Sequence, residues 1–260
     1  MLRVDNVQLS FGGVRALSGV SVYAAPAKIT SVIGPNGAGK TSLFNVISGF
    51  YQPQAGKVVL DGEDISRLKP HARAYRGMSR TFQNIALFHG MTVLDNIKLG
   101  AHTNLKSGVL AATLRLPSTR REEAELDTVV RRDIVPVLDL AHVQDSRVED
   151  LPYGLQKRVE LARALVMRPK VLLLDEPVAG MNREEKREMA RFVARVNREF
   201  GTTVLLIEHD MSMVMSISDH VYVISFGRPV AEGTPDEVRS NPKVIEAYLG
   251  GADDAPLSVA

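Results

Sequence analysis

The sequence contains no cysteine among its 260 residues. That absence excludes disulfide bonds, thiol chemistry and zinc sites with cysteine ligands, and it fits a reducing compartment. Long apolar runs are also missing, because stretches such as VLLLD and TTVLLIE are too short to span a bilayer. The opening MLRVDNVQLS lacks the apolar core of a secretory signal. We therefore expect a cytosolic protein, which must dock at a membrane if it works there.

A large excess of charge is missing as well. Lysine and arginine number 32 and the acidic residues 30, so the formal net charge is +2. So small a charge does not support binding to nucleic acid or electrostatic adhesion to a membrane, and we expect no nucleic-acid partner. The composition, 45% hydrophobic and 24% charged, is that of an ordinary folded protein.

The order of the apolar patterns predicts an α/β fold. Residues 1–33 alternate short β-rich runs with turns, which is typical of strands that are partly antiparallel. From about residue 91 to residue 150 the periodicity is helical. After that, helices alternate with strands that are apolar throughout, a pattern that predicts a parallel sheet covered on both faces. Residues 251–260 have no core-forming pattern, and we expect a flexible tail there.

Residues 34–41, GPNGAGKT, match the phosphate-binding motif G-x-x-x-x-G-K-[ST] and lie between a predicted strand and a predicted helix. The glycines allow successive backbone N–H groups to point at an anion, and the helix adds its positive end. Lys40 is predicted to reach the β- and γ-phosphates, and the Thr41 hydroxyl to bind Mg²⁺. A glycine-rich turn that matches by chance is the alternative, and the strand and helix in register argue against it. The predicted nucleotide contacts of this loop are Gly34, Pro35, Asn36, Gly37, Ala38, Gly39, Lys40, Thr41 and Ser42.

Two adjacent carboxylates, Asp175 and Glu176, end the apolar strand VLLL. Ligands of open α/β sheets bind at this carboxyl edge. Asp175 is predicted to hold Mg²⁺ through water, and Glu176 to act as general base on the attacking water. Paired acids after a strand can instead cap a helix, but the phosphate-binding motif favours the catalytic interpretation. His209 ends another apolar strand, and we expect it near the γ-phosphate or the water, although such a histidine taken alone is more often structural.

Two further residues are candidates for the same site. Gln83, in SRTFQN, carries an amide that can coordinate Mg²⁺ or the attacking water. Phe11, in LSFGG, offers a flat face on which adenine can stack. From the sequence alone, a core phenylalanine is an equally good interpretation of Phe11.

These motifs, in this order, resemble those of the ATP-binding subunit of an ABC transporter. The resemblance implies a P-loop NTPase fold, in which a RecA-like α/β core carries an N-terminal antiparallel β subdomain. It further implies a helical subdomain at about 90–165 within a single ATPase domain over residues 1–250, with ATP and Mg²⁺ as cofactors. By position, Phe11 resembles the adenine-stacking aromatic of the family, Gln83 its coupling-loop glutamine and His209 its switch histidine.

The resemblance also implies how such a subunit works. Two of them would sandwich two ATP molecules, each between the phosphate loop of one chain and a signature turn of the other. Closure would drive integral membrane permease subunits from the cytoplasmic face of the inner membrane. A periplasmic or extracellular solute-binding protein would belong to the same system. Residues 179–182, AGMN, fall where the family has its dimer-contact loop, and Asn182 replaces the usual aspartate.

Finer details narrow the branch of the family. SRTFQNIALFHGMTVLDNI, LLIEHDMSMVMSISD and the ending IEAYLGG resemble most the ATP-binding subunits of branched-chain amino-acid importers. The lipopolysaccharide-export ATPases share an AYLG-like ending, but SRTFQ and the longer segment before residue 120 favour the importer. A non-transport ATP-dependent switch protein is an alternative from another class, against which Glu176 and His209 argue for real turnover.

One turn departs from the family pattern. Leu151, Pro152, Tyr153, Gly154 and Leu155 occupy the positions of the LSGGQ signature, which meets the ATP of the partner subunit. Pro152 lacks both the hydroxyl and the N–H of the usual serine, and losing one charge-assisted donor costs about 1.5–3 kcal/mol. The N–H of Gly154 and the positive end of the next helix remain, and Pro152 is able to begin that helix. We favour pairing with a second, different ATPase subunit that has a fuller signature; a homodimer is the alternative.

Overall fold

A computed structural model of the chain describes residues 1–81, 86–101 and 117–249, without the side chains of residues 117–121 and 249. Within this part of the chain, the β-strands belong to two separate sheets. The strands are β1 (Leu2–Phe11), β2 (Val14–Ala24), β3 (Ile29–Ile33), β4 (Ala55–Leu60), β5 (Glu63–Asp64), β6 (Met78–Arg80), β7 (Val171–Asp175), β8 (Thr203–Ile207), β9 (His220–Ser225) and β10 (Arg228–Gly233).

The two sheets differ in the direction of their strands. The first has the order β2-β1-β4-β5 and is antiparallel throughout. The second has the order β10-β9-β3-β8-β7-β6, and its strands are parallel from β9 to β6, with β10 antiparallel to β9. The predicted P-loop α/β fold with an antiparallel sheet at the N-terminal end is therefore confirmed.

Helices connect the strands and cover the second sheet. They are α1 (Lys40–Ser48), α2 (Pro70–Tyr75), α3 (Val93–Leu99), α4 (Pro117–Val129), α5 (Tyr153–Leu165), α6 (Arg183–Phe200), α7 (Met211–Ile217), α8 (Pro235–Arg239) and α9 (Pro242–Leu249). A π-helical turn, Val130–Ile134, continues α4, and 3₁₀ turns follow at Ala141–Val143 and Val148–Asp150.

The central strands are buried on both faces, as their unbroken apolar sequences predict. Every residue of β7 and β8 is buried. Because side chains alternate across a strand, Leu172 and Leu174 join the core shared with α3, α5 and α6, whereas Val171 and Leu173 enter the core with α1 and the antiparallel sheet. Each such side chain contributes about 1.5–3 kcal/mol on burial, so the sheet anchors both layers.

Local turn chemistry also follows the sequence. Gly49 ends α1 in the left-handed conformation, at φ 86°, and its N–H donates to Val46 O. Asp61 and Gly62, at φ 50° and 87°, form the tight turn between β4 and β5. Positive φ at both central residues is what a two-residue hairpin turn requires, which explains the Asp-Gly pair.

Between 93 and 165, the residues that the structure describes are mostly helical, in agreement with the expected helical character of this region. The division into one ATPase domain over residues 1–250 with a helical subdomain at about 90–165 stays a prediction. Residues 251–260 lie outside the described part of the chain. Among the described helices, none combines the length and the hydropathy needed to cross a bilayer.

Candidate functional site

The phosphate-binding loop, residues 34–41, connects β3 to α1. Gly39 precedes α1 in the left-handed conformation, at φ 99°, and no side chain caps this helix end. Side chains would not fit in the loop: a Cβ on Gly34 would lie 2.0 Å from Ile224 O, and one on Gly39 would lie 2.6 Å from Ala16 O. Gly34 and Gly39 are therefore required by close backbone packing, and the first N–H groups of α1 stay available to an anion.

Lys40, the first residue of α1, lies buried inside this loop. Its Nζ donates to Gly34 O at 2.7 Å and to Pro35 O at 2.9 Å. Burial lowers the pKa of Lys40, and the carboxylates of Glu176 and Asp175 act in the opposite direction. The ammonium group thus already stands where a phosphate would enter, close to both strand-end acids.

A cavity of about 440 Å³ opens over the loop. This volume lies within the range of small-molecule sites, about 300–1,000 Å³. Thr41 is exposed and Ser42 half-buried, and both line the cavity together with Glu176. The remaining lining residues come from β2, from the loop itself and from the turn after β9: Val14, Arg15, Ala16, Asn36, Gly37, Ala38, Gly39, Lys40, Phe226 and Gly227.

Asp175 ends β7 and forms a buried ion pair that the sequence did not reveal. Arg80 Nη2 lies 2.7 Å from Asp175 Oδ2, and both side chains are at least nine-tenths buried. Arg80 also donates to Asn45 Oδ1 and Ser48 Oγ of α1. Removing one partner of such a buried pair costs about 3–5 kcal/mol, so Arg80 fixes the orientation of the carboxylate. The strand-end acid was visible in the sequence, but its pairing depends on β6 lying beside β7.

Glu176 follows directly, with its backbone in the left-handed region at φ 47°. Its N–H donates to Ile207 O at 2.9 Å. A non-glycine residue in this region is uncommon and costs about 1–3 kcal/mol, and such strain concentrates at functional sites. His209 Nδ1 lies 3.7 Å from Glu176 Oε2, so the structure brings the predicted base and the predicted switch histidine together.

Glu208 is a second group that the sequence analysis missed. Its carboxylate is fully buried and accepts the backbone N–H groups of Val178, His209 and Asp210. Burial raises the pKa of Glu208, and these hydrogen bonds act in the opposite direction. The available signal was its position, because Glu208 follows an apolar strand just as Asp175 ends one. It fixes the chain on either side of the site.

Two predicted contacts lie away from this cluster. Phe11 is about half exposed, and its ring meets Tyr51 edge-on, with 5.1 Å between the ring centroids. It is therefore not a core phenylalanine, although it is not among the residues that line the cavity, and its contact with adenine stays a prediction. Gln83 lies outside the described residues.

The donor set fits Mg²⁺ only in company with a nucleotide. In the described part of the chain, no group of three histidine, cysteine or acidic side chains is placed to hold a metal ion. Thr41 and Asp175 carry oxygen atoms of the kind that Mg²⁺ takes as ligands, and Mg²⁺ in nucleotide sites is held by one or two protein groups together with phosphates. Metal binding here should therefore depend on bound nucleotide.

The signature turn, residues 151–155, leads into α5. Pro152 precedes the helix in an extended conformation, with ψ 149°, so Tyr153 rather than Pro152 is the first helical residue. Pro152 O accepts hydrogen bonds from the next turn, at 3.0 Å from Leu155 N and 3.1 Å from Gln156 N. No side chain caps α5, so its positive end stays open, as expected.

This fold and this loop define the chain as a P-loop ATPase, and comparison with known proteins gives its family. The sequence profile of the family described as "ABC transporter" matches residues 17–179. The chain belongs to the ABC transporter family. A second profile, described as "Branched-chain amino acid ATP-binding cassette transporter", matches residues 228–254.

Individual relatives agree with the branch that the motifs favoured. The high-affinity branched-chain amino acid transport ATP-binding protein BraF of Pseudomonas aeruginosa is 44% identical over 252 residues, covering 97% of this chain and 98% of BraF. LivG of Escherichia coli K12, with the same description, is 43% identical over 254 residues, with the same two coverages. A crystal structure of an ATP-binding cassette of an ABC transporter in its ADP conformation matches with a TM-score of 0.83 at 34% identity, covering 96% of this chain and 98% of that one. The expected family and fold are therefore confirmed.

Proposed function

We propose that this chain is the ATP-hydrolysing subunit of an importer for branched-chain amino acids. The observation that carries the proposal is the meeting of Lys40, Asp175, Glu176 and His209 at one edge of the parallel sheet. The names of the relatives support the solute, since BraF and LivG are described as branched-chain amino acid transport proteins. They favour this function over lipopolysaccharide export and over a non-transport switch.

The geometry supports the following reaction. The phosphates of ATP bind the N–H groups of the phosphate-binding loop, and Lys40 exchanges its two carbonyl acceptors for the β- and γ-phosphates. Thr41 and Asp175 hold Mg²⁺, which when bound neutralises phosphate charge. Glu176 takes a proton from the water whose oxygen attacks the γ-phosphorus. The bond from that phosphorus to the bridging oxygen breaks, leaving ADP and phosphate.

Other contacts complete the proposed site. His209, close to Glu176, contacts the γ-phosphate or the attacking water. Gln83 coordinates Mg²⁺ or the water, and Phe11 stacks on adenine. Both assignments rest on the family resemblance.

A second ATPase subunit supplies the rest of the site. The signature turn of this chain, residues 151–155, would face the nucleotide of the partner, and the partner's signature turn would face this chain's phosphate-binding loop. Because Pro152 offers neither hydroxyl nor N–H, we favour a heterodimer with a subunit that has a fuller signature. The absence of a side-chain cap at the N-terminal end of α5 supports this arrangement, since a helix end of this kind favours an anion.

Membrane permease subunits need a contact surface on this chain. A second cavity, of about 300 Å³, lies between α2, β6 and the end of α5, and its lining includes Phe50, Ala74 and Met167. Phe50 and the neighbouring Tyr75 are both exposed. Exposed apolar surface of this kind is typical of protein contacts. We assign it to a cytoplasmic segment of the permease, which would place the chain on the cytoplasmic face of the membrane, with a solute-binding protein on the other side.

The test is size-exclusion chromatography with light scattering on Glu176→Gln, with and without Mg-ATP. A dimer that forms only with Mg-ATP supports the sandwich and shows that two copies of this signature turn suffice. A monomer that binds ATP supports the missing-partner hypothesis. Failure to bind ATP at all would overturn the proposal. The double variant Lys40→Ala with Glu176→Gln is the matched control and should stay monomeric.

A further inference from the structure

Tyr153 stands where the family signature has a glycine, and its side chain crosses to another functional loop. Its hydroxyl donates to Ala179 O at 3.1 Å. Its ring lies along Gly180, where an added Cβ would be 3.4 Å from the ring. Ala179 and Gly180 belong to the dimer-contact loop, residues 179–182. A glycine at position 153 could make neither contact, so the departure from the family pattern adds a link within this chain.

The same loop is held at both ends by buried or capping carboxylates. Just before it, the N–H of Val178 donates to Glu208 at 3.1 Å. At its end, the N–H of Asn182 donates to Glu185 at 2.9 Å, within the capping box that begins α6. The other carboxylate oxygen of Glu185 lies 2.9 Å from where a Cβ on Gly154 would be. The signature turn therefore contacts the dimer-contact loop through Tyr153, and Gly154 lies beside Glu185 in the first turn of α6.

The link continues to the proposed catalytic base. The N–H of Ala179 donates to Glu176 O at 3.1 Å. Ala179 thus binds Tyr153 through its carbonyl and Glu176 through its amide. Since Glu176 has a strained backbone at φ 47°, its position depends on the groups that surround it. One residue separates the signature turn from the base.

We infer that Tyr153 is a positioning residue for Glu176. It holds the dimer-contact loop against the start of α5, so that a phosphate of the partner's nucleotide binding there also sets the position of Glu176 in this chain. The role of the partner's nucleotide rests on the proposed function. The contact between Tyr153 and Ala179 does not, and the two can be tested separately.

The contact is tested by amide hydrogen exchange on the purified chain without nucleotide. Tyr153→Phe removes only the hydroxyl, and Tyr23→Phe is the matched control, because Tyr23 is exposed to the same degree, 42% against 41%. We expect exchange at Ala179 to rise about three- to tenfold in Tyr153→Phe, the range of one neutral hydrogen bond. The control and the amides of residues 34–41 should not change. Exchange at Ala179 within twofold of the wild type in Tyr153→Phe would overturn the inference.

The positioning role is tested by steady-state hydrolysis of Mg-ATP. In Tyr153→Phe, kcat should fall about three- to tenfold with KM unchanged, and Tyr153→Gly should lose more than Tyr153→Phe. A contact that only stabilises the fold would raise exchange but leave kcat unchanged, and that result overturns the positioning role. A wild-type chain that neither binds nor hydrolyses Mg-ATP would overturn the proposed function, while the exchange result at Ala179 would still decide whether Tyr153 holds the loop.

Discussion

The phosphate-binding loop and the signature turn both lie at a helix N-terminus that no side chain caps. Around the first, the chain itself supplies an ammonium group, Lys40, and two carboxylates, Asp175 and Glu176. At the signature turn, Pro152 has no hydrogen-bond donor, and the Tyr153 hydroxyl donates to Ala179 O in another loop of the same chain. An uncapped helix end is therefore not enough for a phosphate site, because the charged side chains around it differ between the two turns.

The two turns also differ in what fixes their shape. Backbone oxygens lie so close to Gly34 and Gly39 that a side chain at either position would disturb the packing of the phosphate-binding loop. The signature turn is held by a proline ring and by two side-chain hydrogen bonds, from the Tyr153 hydroxyl to Ala179 O at 3.1 Å and from Gln156 Nε2 to Leu151 O at 2.9 Å. A single neutral hydrogen bond contributes about 0.5–1.5 kcal/mol, so the second turn is the easier of the two to alter without unfolding the protein.

The largest effect should come from Glu176, the proposed base beside the phosphate-binding loop. Glu176→Gln keeps the shape of the side chain but cannot accept a proton, so kcat should fall about 10²–10⁴-fold while Mg-ATP affinity stays close to that of the wild type. Steady-state hydrolysis and calorimetric titration measure the two quantities. Glu246→Gln, exposed on α9, is the control. Near-normal hydrolysis in Glu176→Gln would assign the base to another group.

The next effect concerns the binding of Mg-ATP by the phosphate-binding loop. Lys40→Ala removes a donor to the phosphates, worth about 1.5–3 kcal/mol for a charged hydrogen bond, so Mg-ATP should bind at least about tenfold more weakly. Titration calorimetry against Lys57→Ala, an exposed lysine of β4, gives the comparison. If affinity is unchanged, the phosphates bind elsewhere.

The third prediction adds hydrogen-bond donors to the signature turn. Pro152→Ser restores a hydroxyl and an N–H at the start of α5, so the Mg-ATP-dependent association of Glu176→Gln should tighten by up to about tenfold, or about 1.4 kcal/mol. Analytical ultracentrifugation measures the dissociation constant, with Pro242→Ser at the start of α9 as control. No change would mean that the helix end alone meets the partner's nucleotide.

The smallest effect should come from Asp61, a charged residue outside both the phosphate-binding loop and the signature turn. Hydrogen bonds from Lys170 and the terminal amine lower the pKa of Asp61 from 3.8. A carboxyl whose pKa is lower in the folded state stabilises the fold above its unfolded pKa, and this contribution is lost as pH falls through the folded pKa.

Asp61→Asn preserves the turn, because asparagine tolerates its positive φ, but removes both ion pairs. These pairs are exposed, so the loss at neutral pH should be below about 1 kcal/mol. Thermal unfolding at neutral and acid pH measures it. The difference should disappear once acid has protonated Asp61 in the wild type; a difference that persists in acid would show that the turn itself has changed.

Local patterns account for the parts of the molecule that depend on neighbouring residues. The phosphate-binding loop, the Asp61–Gly62 turn, the end of α1 at Gly49 and the two-faced strands all follow from short-range chemistry. Position along the chain also indicated that Glu176 and His209 would meet, because parallel strands end at one edge.

Contacts between residues far apart in the sequence could not be predicted from it. Arg80 and Asp175 are 95 positions apart and meet only because β6 lies beside β7, which is a matter of strand order rather than of local pattern. Tyr153 and Ala179 are 26 positions apart, and the sequence showed only that Tyr153 departs from a family pattern. The sequence did not indicate that the Tyr153 hydroxyl donates to Ala179 O.

The two carbonyl acceptors of Lys40 have a consequence for the life cycle of the bound nucleotide. The ammonium group already donates to two carbonyls of its own loop, so on the proposed function an arriving phosphate would replace existing hydrogen bonds instead of adding new ones. When product leaves, the same carbonyls receive the ammonium again, and no bare buried charge remains behind. The loop therefore keeps the Lys40 ammonium group hydrogen-bonded even without a bound phosphate.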